Sequence, residues 1–218
     1  MGIAELDKDT LTLTIKAHII LYGDSANDML ARQVEEEIES HWNSAETMIT
    51  IRNNQYRVVF RITSQYNPYL QPSDIYENDD PLNNYFRVEE FSESHISFVD
   101  GIGSNTGYFK LDNLLNNSTT AAHEFGHTLG LLHPDHLDIR GKGTPGIMYP
   151  RGTIVDPHFQ YDPNAEPAAK GGTMNPFHRK VLQQDIEDLK LHKLNFDKSG
   201  RAIIGDFSSV WHRKHLPR

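Results

Sequence analysis

Cysteine is absent from this chain, which excludes disulfides, thiolate metal sites and a cysteine nucleophile while leaving the compartment open. Long apolar runs are missing as well: none approaches the roughly 18–20 residues needed to cross a bilayer. There is no basic surplus. Lys and Arg number 21 against 30 Asp and Glu, a net charge of −9, which argues against nucleic acid as the main partner. The opening Met1-Gly2-Ile3-Ala4-Glu5-Leu6-Asp7 lacks the basic-then-apolar shape of a secretory leader. What is present is ordinary for a globular protein. With 37% hydrophobic and 23% charged residues, 218 positions can hide one sizeable core, so a single domain is expected.

Against this background, residues 123–133 read His-Glu-Phe-Gly-His-Thr-Leu-Gly-Leu-Leu-His. His123 and His127 are four apart, so on a helix they project from one face, a turn apart. Two neutral imidazoles at that separation can reach one Zn²⁺ at about 2.0–2.1 Å. Glu124 follows the first histidine directly, which puts its carboxylate beside the metal rather than on it, where it can take a proton from water. Gly130 allows φ > 0, so the chain can leave the helix sharply and return His133 as a third ligand. A fourth position is then left for water and substrate, the mark of a catalytic rather than a structural zinc site.

Fifteen residues after His133, Met148 lies within Gly146-Ile147-Met148-Tyr149-Pro150. HExxHxxGxxH followed by such a methionine turn resembles the metzincin clan of zinc peptidases. Met-Tyr-Pro and the phrase His-Glu-Phe-Gly-His-Thr-Leu-Gly-Leu are similar to matrixins, and His133-Pro134 is closer to serralysins. The resemblance implies an α+β, zincin-like fold: a twisted, mostly parallel N-terminal sheet, two long helices of which one carries HExxH, and a small irregular C-terminal subdomain ending in a helix. It places the N-terminal subdomain at about 1–133, the C-terminal one at about 134–194 and a tail at 195–218. It implies one catalytic zinc held by His123, His127 and His133, Glu124 as general base and acid, and Met148 as a hydrophobic floor beneath the metal. The position from which a tyrosine approaches the metal in astacins and serralysins is Pro150 here, so no tyrosine ligand is expected. Matrixin features are also missing: a cysteine switch, a structural zinc set and an uninterrupted acidic calcium run, which Lys110 breaks. The Gly-Gly-x-Gly-x-Asp repeats of serralysins are absent too.

The expected activity is zinc-dependent endopeptidase. An inert zinc-containing binding module is the rival from another class, but a purely structural site has no need of Glu124. A zinc amidase acting on a non-protein substrate is the third reading. A bacterial enzyme that is secreted or delivered as an effector is expected, because a peptidase free in its own cytoplasm is hazardous. The partner is a protein or peptide substrate, and the chain is expected to act as a monomer.

Residue patterns supply an order of elements. Leu11, Leu13, Ile15 and Ala17 alternate with polar residues and run on into Ile19-Ile20-Leu21, a half-buried first strand. A helix over about 26–42 carries the stripe Leu30, Val34, Ile38 and Trp42. Residues 47–64 predict a hairpin about Asn53-Asn54. The stretch 65–84 is a long loop in which Tyr66, Tyr69, Tyr76, Asp79 and Asp80 are candidates for bordering substrate or holding Ca²⁺, the simpler reading being a surface insertion. Strands are expected at 86–91, 95–100 and near 108–111. By resemblance, the segment around 103–110, with Gly103, Ser104, Gly107 and Tyr108, forms the edge that binds substrate backbone, and Tyr149 joins the substrate site. Asn117 or Ser118 is the expected N-cap of the active-site helix, about 119–130. Residues 151–174 shape the specificity pocket by resemblance. Asn175-Pro176 opens a last helix with Leu182, Ile186 and Leu189 inward, in which Asp185 or Asp188 is expected to be buried.

Overall fold

The run Ile19-Ile20-Leu21-Tyr22 breaks the alternation that precedes it, and the fold supplies the reason. The computed structural model describes residues 1–116 and 118–217. Among them, eight strands form one mixed sheet. In chain order these are β1 (Gly2–Asp7), β2 (Thr12–Tyr22), β3 (Met48–Ile51), β4 (Asn54–Tyr66), β5 (Asn83–Glu89), β6 (Phe98–Val99), β7 (Thr106–Lys110) and β8 (Arg201–Ile204). The central strand β2 pairs in parallel with β4 along its length; on its other side it holds antiparallel β1 first and parallel β5 further on. Its first half is covered on one face only, so side chains alternate in burial. Ile19 and Leu21 face the main core, whereas Ile20 and Tyr22 face a second cluster with Leu70, Ile75, Tyr85 and the partly buried Trp211. Apolar residues are therefore needed on both faces there.

The main core lies between the sheet and two helices, α1 (Asp28–Asn43) and, after the short α2 (Pro72–Tyr76), α3 (Thr120–Thr128). The expected stripe Leu30, Val34, Ile38 and Trp42 is buried on α1, together with Ala31. Asn27 caps this helix, its side chain accepting from the Leu30 N–H at 2.9 Å. Trp42 packs against Phe60 and Phe125 with ring centroids 5.1 and 5.9 Å apart, and its Nε1–H donates to the Ala122 carbonyl at 3.0 Å. Indole burial with its N–H satisfied ties α1 to α3.

A mixed α/β fold with a parallel centre and antiparallel margins agrees with the coarse expectation. Several particulars differ. Residues 2–7 form β1 rather than a lead-in, because they pair with β2 on one side and β8 on the other. The tail accordingly packs back onto the body, with Trp211 stacked on Tyr22 at 4.8 Å. The hairpin turns about Arg52-Asn53, one residue earlier than expected, since these two carry the positive φ values (47° and 69°) that a two-residue loop requires. The active-site helix is shorter than expected at nine residues. The last helix begins late. Asn175 does accept the Phe177 N–H, at 3.2 Å, but it caps only a single 3-10 turn, and the helix proper is α4 (Gln183–Asp188). Asp185 is the buried acid of that pair and Asp188 is exposed. Between α3 and α4 the chain is irregular, with a small core of Ile139, Val155 and Met174 flanked by Tyr149 and Phe159.

Candidate metal centre

The helix α3 begins without a side-chain cap of its own: the Thr119 hydroxyl donates to the Pro176 carbonyl instead. Of the two expected caps, Asn117 lies outside the described residues, and Ser118 Oγ accepts the Thr120 N–H at 3.0 Å. The deeper N–H groups are served from another helix, where Glu37 Oε1 accepts from Ala122 at 3.2 Å. At the other end Gly130 has φ +98°, and the N–H groups of Gly130 and Leu131 bond back to the carbonyls of His127 and Gly126 at 3.0 Å each. That left-handed exit reverses the chain, as the glycine suggested.

The reversal brings His133 back over the helix. Its Nε2 lies 3.0 Å from His123 Nε2 and 3.1 Å from His127 Nε2. Two of the rings are oriented from behind: His123 Nδ1 meets the Ile147 carbonyl and His127 Nδ1 the Leu131 carbonyl, both at 2.7 Å. Each carbonyl needs an N–H from Nδ1, which leaves the Nε2 lone pairs facing one point. His123 Nδ1 also has Arg179 Nη1 at 2.9 Å, a second donor. Both cannot be satisfied; the shorter contact and the metal-facing tautomer favour the carbonyl as the partner. Tetrahedral zinc with 2.0–2.1 Å bonds requires nitrogen separations of about 3.3 Å, close to those found. These three histidines are the one group of its kind among the described residues, and they fit a zinc ion. Burial lowers the proton affinity of all three, that of His127 to about 4, so neutral imidazoles are presented at pH 7. No such trio includes Asp79 or Asp80 among the described residues.

Beneath the triad, Gly146 to Tyr149 closes a turn (3.2 Å) with Met148 buried at its tip. A Cβ on Gly126 would sit 2.3 Å from Met148 Sδ, so the glycine of HExxH's second half is what lets the sulfur lie against the helix. Asp185 secures the same turn from α4: it accepts the Leu182 N–H at 2.7 Å and those of Ile147 and Met148.

A cleft of about 540 Å³ opens over the histidines, walled by residues that include Phe98, Val99, Ile102, Leu132 and Pro150. Glu124, 6% exposed, is in its lining. Burial pushes this carboxyl up to about 8, opposed by Arg179, Arg151 and the Val99 N–H. A divalent cation alongside favours its ionised form.

The segment expected to bind substrate lies inside the sheet. Segment 106–110 is β7, flanked by β5 on one side and β6 on the other, so β6 is the free edge and lines the cleft. Gly107 has no room above it, a Cβ there falling 2.5 Å from the Phe98 carbonyl. Tyr108 is fully buried, its hydroxyl donating to the Phe91 carbonyl at 2.9 Å and its ring stacked on His215 at 4.2 Å. Gly103 bonds through its N–H to the His127 carbonyl at 2.7 Å, while Ser104 is buried beneath the tail and bridges to Asp206. Tyr149 packs on the Ile139 cluster. None of the five lines the cleft. Nor do Tyr66, Tyr69 or Tyr76.

The lining also includes Arg151, the first residue of the stretch 151–174 expected to shape the pocket, and Arg179, which the sequence did not single out and which is 4% exposed. Arg179 lies in an irregular stretch 56 residues from His123, and no local pattern marks it.

No protein-family description and no curated protein matches the chain. Among solved structures it is similar to archaemetzincin from Methanopyrus kandleri, at 12% identity and a TM-score of 0.38, over 81% of this chain and 95% of that one.

Proposed function

We propose that the chain is a zinc-dependent endopeptidase. The observation that carries this reading is the convergence of three imidazole Nε2 atoms at 3.0 and 3.1 Å beside a buried glutamate that is not one of the group. His123, His127 and His133 would hold zinc, which when bound would supply Lewis acidity toward a peptide carbonyl and lower the pKa of water toward about 7. Glu124 handles the proton: its carboxylate takes one from the attacking water and passes it to the leaving amine nitrogen. The low-dielectric wall around it strengthens that exchange and keeps the proton from bulk solvent. The free edge of β6 at Phe98-Val99 is the place for an extended peptide to add as a further strand. Pro150, Arg151 and Leu132 bound the cleft about it.

The test is cleavage of a diverse peptide mixture by the purified, zinc-loaded protein, read by mass spectrometry with and without chelator. Internal cuts that stop on chelation and return with zinc support the reading. Their absence from a protein holding stoichiometric zinc counts against it.

A further inference from the structure

The ionisable side chains of the cleft are three histidines, Glu124 and two arginines, in a chain whose net charge is −9. One of those arginines is unusual. Arg179 is 4% exposed, and its hydrogen bonds go to neutral partners, Thr119 Oγ1 at 2.9 Å and the Tyr149 carbonyl at 3.2 Å. Nη2 finds no acceptor among the described residues, and no ion pair forms there. Arg87, also shielded from solvent, shows the contrast: it is paired with Glu89 at 2.6 Å. Glu124 and Glu37 favour its charge without a direct ion pair, so what is left unanswered is Nη2, a donor held in the wall of the cleft with no protein acceptor, which is costly unless a ligand supplies one. Thr119 and Tyr149 fix the plane of the group, and with Nη1 also against His123 Nδ1, the N–H bonds of Nη2 are left for an external acceptor. Arg151 lies in the same wall and is exposed to solvent.

We propose that Arg179, assisted by Arg151, is an anion-binding subsite that takes a substrate carboxylate next to the triad. Nη2 can give a carboxylate oxygen a charge-assisted hydrogen bond, roughly twice as strong as a neutral one. Arg179 is thus a specificity-determining residue. The carboxylate comes either from an acidic side chain near the scissile bond or from the free end of a short peptide. The inference rests on the peptidase reading for its substrate class, and on the arginines for its chemistry.

Two pairs of degenerate decapeptide libraries test it. One pair is blocked at both ends and differs in a fixed central Glu or Gln; the other differs in a free or amidated C-terminus. Cleavage by the zinc-loaded full chain gives kcat and KM separately, and binding of the same peptides, fluorescently labelled, to Glu124→Ala gives affinity without turnover. The expected result is a roughly ten- to hundred-fold preference for the carboxylate member of one pair, seen chiefly in KM and in binding. Arg179→Gln abolishes it, and Arg151→Gln, a change at an exposed position, reduces it several-fold. The pair that discriminates identifies the source of the carboxylate. Equal handling of both pairs by the wild type overturns the subsite, as does a preference that survives in folded Arg179→Gln. If that variant does not fold, an unchanged preference in Arg151→Gln overturns it. A carboxylate preference in binding without any cleavage keeps the subsite and removes the peptidase reading; cleavage without preference does the reverse.

Discussion

Glu37 on α1 accepts the backbone N–H of Ala122, 85 residues further along the chain, at 3.2 Å. The next residue is His123, so the helix that presents the histidines is anchored at its start by a carboxyl group from its neighbour, which burial pushes up to about 8. Glu37→Ala removes the only side-chain acceptor given to that N–H among the described residues. The expected loss is about 1–2 kcal/mol, the range for losing a helix cap. Urea unfolding of the metal-free protein measures it, and unchanged stability contradicts the anchoring role.

Gly126→Ala is expected to destabilise although alanine is the better helix former. The new Cβ would lie 2.3 Å from Met148 Sδ, and overpacking costs roughly 1–3 kcal/mol against about 1 gained in propensity. Combining it with Met148→Ala removes the clash. The double variant should therefore be more stable than the two single effects sum to, a coupling that thermal or urea unfolding can read.

His133→Ala leaves His123 and His127 as the only imidazoles of the group. Zinc affinity should fall by at least about a hundred-fold, above the usual loss for removing a supporting group. Metal content after dialysis against a competing chelator checks this; retention equal to the wild type contradicts the three-histidine site.

Burial raises the Asp185 carboxyl from 3.8 to about 6, even with backbone N–H groups from Leu182, Ile147 and Met148 favouring its ionised form. Between pH 4 and 6 the folded chain keeps a proton that the unfolded chain releases. This contribution to stability is fully present below pH 4 and lost as pH rises through 6. The stability of the wild type minus that of Asp185→Asn should thus fall by on the order of 2–3 kcal/mol from pH 4 to pH 7. Urea unfolding of both proteins in chelator gives the difference, and a constant value refutes the assignment.

What could be read in the sequence was what local geometry sets. His123, Glu124 and His127 follow from helical spacing, Gly130 from its need for positive φ, and the α1 stripe from a 3.6-residue period. Contacts distant in the chain leave no such trace. Residues 2–7 carry no strand pattern of their own and become β1 by pairing with both β2 and residues 201–204. A strand is expected at 95–100, but that β6 and not the segment 106–110 ends the sheet follows from pairing between strands, which no local pattern shows. Arg179 and Glu37 reach the histidine helix from 56 and 85 residues away.

The central claim is tested most directly by Glu124→Ala, assayed beside the wild type on one cleaved peptide, with zinc content measured on the same samples. The account predicts an equally folded protein holding one zinc per chain whose kcat is lower by roughly three orders of magnitude or more, the loss expected for a general base and its charge. A zinc-bound, folded Glu124→Ala protein with wild-type kcat would contradict it.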